Sequence, residues 1–339
     1  MNTVINSGLE GVVAAQTRLS QVNGQIGQLI LAGFPVEAVA DKATFEEMLY
    51  LLWYDKLPSA SELIEFSGAL AAYRPLSEVG FAVLERAAAA QVPVIDALRM
   101  AASTLSLGPT GSISDDQPGQ AALAAVAGFP TIVAAYWRLL QGETPVAPRL
   151  DLSHAANYLY MLTGQVPSPE KTRGLETYLN TVIDHGLNAS TFTARVIIST
   201  QSDMISAVVG ALGALKGPLH GCAPGPALDM VFEIGQIERA EAYLRAKLDR
   251  GERLMGFGHR VYKVRDPRAE VLSKAAARLY EADGDVALYD LVRAVEEKAV
   301  ALLAEYKPGR NLQTNVEFYT ALLLHGLGLE SELFTPTFA

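Results

Sequence analysis

The period of the apolar residues is the feature that most narrows the fold. In the stretch 168 to 184, Leu175, Tyr178, Leu179, Val182 and Ile183 fall at i, i+3, i+4, i+7 and i+8, the spacing that lines one face of a helix. In the stretch 286 to 306, Leu288, Leu291, Val292, Val295, Leu302 and Leu303 share a face in the same way. Alternation of period two is almost absent, and no strand, glycine loop and helix follow one another as a dinucleotide or P-loop fold requires. The expected class is therefore all-α. Thr44 with Glu47 and Ser59 with Glu62 have capping-box spacing and mark two helix starts. Further helices are expected at about 76 to 90, 94 to 105 and 120 to 140, separated by Gly and Pro, the last interrupted near Pro130. The segment up to Pro35 is expected to be loop-rich. Between 203 and 215, Ala207, Gly210, Ala211, Gly213 and Ala214 would let another helix approach closely, in a core or at a dimer interface.

With 339 residues, half of them hydrophobic, the chain can bury a large core in one domain or two. A net charge of -10 argues against nucleic-acid or anionic-membrane binding, which need an extended basic face. The cations that do cluster in sequence are Arg260, Lys263, Arg265 and Arg268, and separately Lys307 with Arg310. A single cysteine, Cys222, excludes an intrachain disulfide and a cysteine-ligated zinc. The start of the chain lacks a basic flank and long apolar core, so a cytoplasmic protein is expected. The uncharged run 117 to 137 contains Pro118, Gln120 and Pro130 and is expected to be a core helix rather than a membrane span.

Candidate chemistry gathers where glycine meets histidine. In Gly256-Phe257-Gly258-His259 the glycines allow a tight path on which a ligand could meet main-chain groups. Asp266 is a good N-cap and Pro267 suits the first helical position, so Arg268 falls in the first turn, where an anion is favoured and a guanidinium fork would fit a carboxylate. Of the five histidines, His185 and His220 also adjoin a glycine, whereas His154 and His325 read as structural. Glu317 lies between Val316 and Phe318. If buried, its pKa would rise toward that of a useful base, and if exposed it is an ordinary helix-start glutamate.

The blocks DHGLNASTFTAR (184 to 195), GPLHG (217 to 221), GFGHRVYK followed by DPRA (256 to 269) and NVEFY (315 to 319), in that order, resemble the citrate synthase family of the bacterial type, from about residue 12 to 339. The resemblance implies a large helical domain, 1–221 with 326–339 returning to it, and a smaller helical domain, 222–325, inserted near the C-terminal end. It also implies a homodimer, closure over the substrates, and no tightly bound cofactor or metal. By the same resemblance His220 would stabilise the enol of acetyl-CoA, His259 would polarise and protonate the oxaloacetate carbonyl, and Glu317 would remove the methyl proton. His185 and Arg268 would bind oxaloacetate. Leu254, Met255, Gly256, Phe257 and Gly258, with Lys263 and Asn315, would form the coenzyme A site.

Four stretches depart from the family pattern. Glu317 stands for an aspartate, Cys222-Ala223-Pro224-Gly225 for the commoner Gly-Ala-Asn-Glu, and Leu31-Ala32-Gly33 for Tyr-Arg-Gly. The apolar end, 334 to 339, is followed in the family by a helix bearing a substrate-binding arginine. The alternatives are a 2-methylcitrate synthase using propionyl-CoA, a catalytically impaired coenzyme A-binding paralogue, and a two-histidine, one-carboxylate iron site built from His220, His259 and Glu317.

Overall fold

A computed structural model describes residues 13, 15–108, 111–114, 117–218, 220–221 and 225–339. The start of the chain (1–12) and the hinge-like Cys222 to Pro224, where the domain boundary is expected, lie outside the described residues. Within them sixteen α-helices carry the fold and the only sheet is a three-stranded one. Capping matches expectation. Thr44 N–H donates to Glu47 at 2.7 Å and Glu47 N–H to Thr44 at 3.2 Å, and Ser59 and Glu62 make the same reciprocal pair.

The N-terminal segment corrects the loop-rich expectation. Ser20–Asn23, Gln28–Leu31 and Phe34–Pro35 form an antiparallel meander with Ser20 opposite Leu31 and Ile30 opposite Pro35. Its strands are too short for alternation to stand out, but Leu29 and Leu31 are fully buried with Val36, Met48 and Val271. The turn of this hairpin clasps the stretch after His259: Lys263 N–H donates to Gly24 O at 2.8 Å, and a Cβ on Gly24 would strike the Val261 carbonyl.

The helix Pro118–Leu140 runs on through Pro130 without the expected break. Ala124, Ala127, Ile132, Val133 and Ala134 are buried on both sides of the proline, so tertiary packing holds the turn despite one missing N–H. This is the one helix among the described residues long and apolar enough to cross a membrane, and half of its apolar window is buried inside the fold. The helix Met204–Leu215 meets Ala189–Ile198 closely, Gly210 lying against Ile197, as its small residues suggest.

Three packed helices position the site. Pro267–Asp283 lies against both Val316–Gly326 and Pro169–Val182, with Gly326 under Tyr280 and Gly174 under Leu327. Arg268 and Glu317 therefore sit in the first turns of neighbouring helices, and His185 lies just beyond the end of the third.

Pro169–Val182 also buries a carboxyl. Glu176 is 3% exposed, and burial pushes its pKa up to about 7 against the pull of Arg173, which is 3.1 Å away. The native state holds this proton where an unfolded chain has released it. Glu176 thus adds stability that is full below the ordinary value of 4.5 and is lost as pH rises through about 7, at up to roughly 1.4 kcal/mol per pH unit. Thermal melts of Glu176→Gln should therefore show the variant gaining on the wild type between pH 5 and pH 8. Parallel curves would refute this.

Candidate active site

The backbone after His259 decides how that ring is protonated. Its Nδ1 accepts from Val261 N–H at 3.0 Å and Tyr262 N–H at 3.1 Å, so the proton of the neutral ring is on Nε2. That nitrogen lies 3.4 Å from Arg268 Nη2, also a donor. Two donors that face each other with no acceptor between them are suited to a ligand oxygen. Burial lowers the pKa of His259, Asp266 opposing and Arg268 adding to it, so the ring is neutral at pH 7.

Arg268 differs from expectation in one respect. Its fork already holds a carboxylate, Nε donating to Asp266 Oδ1 at 3.1 Å and Nη2 to Oδ2 at 2.8 Å. Asp266 is wholly buried and also caps the helix by accepting Arg268 N–H at 3.0 Å. What remains for a ligand is Nη1, without an acceptor among the described residues, and the free side of Nη2. His185 joins this group. Its ring centroid is 5.9 Å from that of His259, and its Nε2 is 3.0 Å from the Tyr262 hydroxyl. Burial first, then the Arg268 cation, push its pKa down to about 4.

His220 arrives on a tight turn after Met204–Leu215, its N–H donating to Gly217 O at 2.9 Å. Ser190 N–H points at His220 Nε2 at 3.3 Å, and Ser190 Oγ, 2.8 Å from the same atom, also reaches Ala211 O at 3.0 Å. A main-chain N–H can only donate, so the ring proton belongs on Nδ1. His220, Arg268 and Glu317 all line one cavity of about 110 Å³, whose other walls include Tyr178, Val182, Val316 and Phe338. Glu317 is half-buried and its carboxyl has no hydrogen-bond donor among the described residues. Burial raises its pKa and Arg268 opposes that rise.

The glycine stretch is less open than expected. Gly258 N–H donates to Gln313 O at 2.7 Å, Asn315 N–H to Gly256 O at 3.0 Å, and Asn315 Nδ2 to Gly258 O at 2.9 Å. Only the Phe257 main-chain groups point away from this bridge. Gly256 is needed as glycine because its φ is +84° and a Cβ there would come within 2.8 Å of Phe318. Leu254 is buried in the core, Met255 is half-buried, and Lys263 is exposed.

Of the other histidines, His154 opens a helix and stacks on Phe45, as a structural residue should. His325 is exposed at the end of its helix and packs edge-on beside Phe232. Among the described residues no group of three or more His, Cys, Asp or Glu could hold a metal ion, so His220, His259 and Glu317 do not form the alternative iron site.

Three residues that sequence reasoning passed over complete the site: Ser190, Tyr262 and Glu296. The first two lie inside matched blocks, next to residues already singled out. Glu296 was detectable as a carboxylate on the apolar face of the helix Val286–Tyr306. It is 4% exposed, accepts from Thr314 Oγ1 at 2.7 Å and Tyr319 OH at 2.5 Å, and pairs with Arg265 at 3.1 Å.

The chain is similar to known proteins. The family model for the citrate synthase C-terminal domain matches residues 8–339. The citrate synthase of Deinococcus radiodurans is 41% identical over 99% of this chain and 88% of its own length. The 2-methylcitrate synthase of Mycobacterium tuberculosis is 37% identical over 98% and 83%. Among solved structures, citrate synthase from Thermotoga maritima superposes with a TM-score of 0.84 at 39% identity, covering 98% of this chain and 87% of that one. Citrate synthase from Thermoplasma acidophilum, in a ternary complex with carboxymethyl coenzyme A and oxaloacetate, gives a TM-score of 0.86 at 26% identity over 98% and 89%. Motif order, all-α fold and near-complete alignment agree, and the chain belongs to the citrate synthase family.

Proposed function

We propose that the protein condenses acetyl-CoA with oxaloacetate and hydrolyses the product to citrate and coenzyme A. The observation that carries this reading is the cavity shared by His220, Arg268 and Glu317, together with His259 Nε2, which lies 3.4 Å from Arg268 Nη2. Glu317 takes a proton from the thioester methyl group while His220 Nδ1–H stabilises the oxygen of the enol that forms. A carbon acid this weak needs both partners at once. The enol carbon attacks the oxaloacetate ketone, whose oxygen receives the proton from His259 Nε2. Water then cleaves the citryl thioester. His185 and the free edge of Arg268 hold oxaloacetate, and the stretch from Leu254 to Gly258, with Lys263 and Asn315, takes coenzyme A, which is a substrate rather than a bound cofactor.

Residues 1–221, with 326–339, act as the large domain and 222–325 as the small one. On this division His185 and His220 come from the large domain and His259, Arg268 and Glu317 from the small one. A dimer is supported by the helix Ala189–Ile198, which buries none of its residues and exposes Phe192 by 43%, Val196 by 51% and Ile198 by 44%. Light scattering should give twice the chain mass, and Phe192→Glu should shift it toward one chain. A monomeric wild type would end the dimer reading.

Thiol release from acetyl-CoA should require oxaloacetate, and His259→Ala should lower kcat by about 10² to 10⁴. Unchanged turnover in that variant would remove His259 from the proton transfer. The M. tuberculosis relative makes propionyl-CoA the second substrate to assay, since one methylene is worth only about 1–3 kcal/mol in a pocket. Acetyl-CoA is expected to give the higher kcat/KM, and the reverse would make the protein a 2-methylcitrate synthase. Coenzyme A binding without turnover of either thioester would indicate the impaired paralogue.

Glu317→Gln should abolish enolisation and leave coenzyme A binding nearly intact, because the amide keeps the shape and loses the basicity. Glu317→Asp should also lose rate, since a displacement of about 1 Å can cost roughly 100-fold. In the wild type kcat should fall as pH drops through the raised pKa of Glu317, where the base becomes protonated. Activity indifferent to both substitutions would exclude Glu317 as the base.

A further inference from the structure

We propose that Tyr262 is the positioning residue that sets the tautomer of His185 and thereby the strength of oxaloacetate binding, an inference that rests on the reading of this site as an oxaloacetate site. Tyr262 is 3% exposed, with its ring centroid 5.5 Å from that of His185 and 4.9 Å from that of His259, and Arg268 Cζ 5.9 Å from its own. The hydroxyl lies 3.0 Å from His185 Nε2 and has no other partner among the described residues.

Distance alone allows either group to donate. If Nε2–H donated, the phenolic hydrogen would be left in a buried place with no acceptor, which is strongly disfavoured. If the hydroxyl donates, both groups are satisfied. Burial also holds the phenol above its ordinary pKa, so it keeps the proton it needs to donate. His185 then accepts on Nε2 and carries its own proton on Nδ1. This is the useful tautomer, because a dicarboxylate with a ketone offers acceptor oxygens only, and the ring can bind it only through an N–H. Tyr262 therefore orders both rings: its main-chain N–H fixes the proton of His259 on Nε2, and its hydroxyl fixes that of His185 on Nδ1.

The test is calorimetric titration of the full chain with oxaloacetate, in wild type, Tyr262→Phe, His185→Ala and the double variant. Tyr262→Phe keeps the ring and should weaken binding about five- to tenfold, as loss of one hydrogen bond does. That loss should vanish in the His185→Ala background if it acts through the histidine. The same loss in both backgrounds would mean packing alone, and no loss in the first would mean no role. Either result overturns the inference. A wild type that does not bind oxaloacetate would instead overturn the functional reading, and this inference with it. Nitrogen chemical shifts of His185 in the ¹⁵N-histidine-labelled wild type give a readout that needs no substitution. They should show protonated Nδ1, and a protonated Nε2 would overturn the inference directly.

Discussion

A wholly buried carboxylate has to be paired, and Asp266 meets that requirement in a way that organises the site. It caps its helix through Arg268 N–H and grips the guanidinium of the same residue on one edge. The fork is thereby held rigid before any substrate arrives, with its remaining donors on the side toward His259. A free arginine would lose side-chain entropy on binding an anion, whereas this one has already lost it on folding. The Glu317 carboxyl shares the cavity with this cation but makes no hydrogen bond to it among the described residues.

Around that pair, separate stretches of chain are tied to one another by obligatory polar contacts. Glu296 reaches Arg265, next to Asp266, and Thr314, next to Asn315, while Asn315 closes on the carbonyls of Gly256 and Gly258. The N-terminal hairpin adds a clasp from outside through Gly24 and Lys263. Each tie fixes a backbone segment, so the functional side chains inherit positions from main-chain geometry rather than from their own rotamers.

Helices with local signals were legible in the sequence. The helix Val286–Tyr306 has the bounds its apolar period marks, and the Thr44 and Ser59 boxes form as spaced. Local signals failed where distant contacts decide. Gln28–Leu31 is a strand because partners on either side and a buried face hold it, and the proline in Pro118–Leu140 is tolerated because the helix is packed on both flanks. The site divides in the same way. His220, His259 and Arg268 were legible because each follows a turn or opens a helix. Ser190 and Tyr262 were not, because what they hold lies elsewhere in the chain: His220 is 30 residues from Ser190, and His185 is 77 from Tyr262.

Burial favours the neutral form of every ionisable group it encloses, and in this site that helps some residues and hinders one. His185 and His259 are pushed down and stay neutral, which suits a ring that must donate one defined N–H. Glu317 is pushed up by the same loss of water, which strengthens it as a base but threatens to leave it protonated. Arg268 is the group that opposes this, its charge lowering the Glu317 pKa while adding to the downward push that burial puts on the histidines. One fixed cation, itself locked by Asp266, therefore works against burial at the base and with it at the histidines, so the site draws on its charge as well as on its hydrogen bonds.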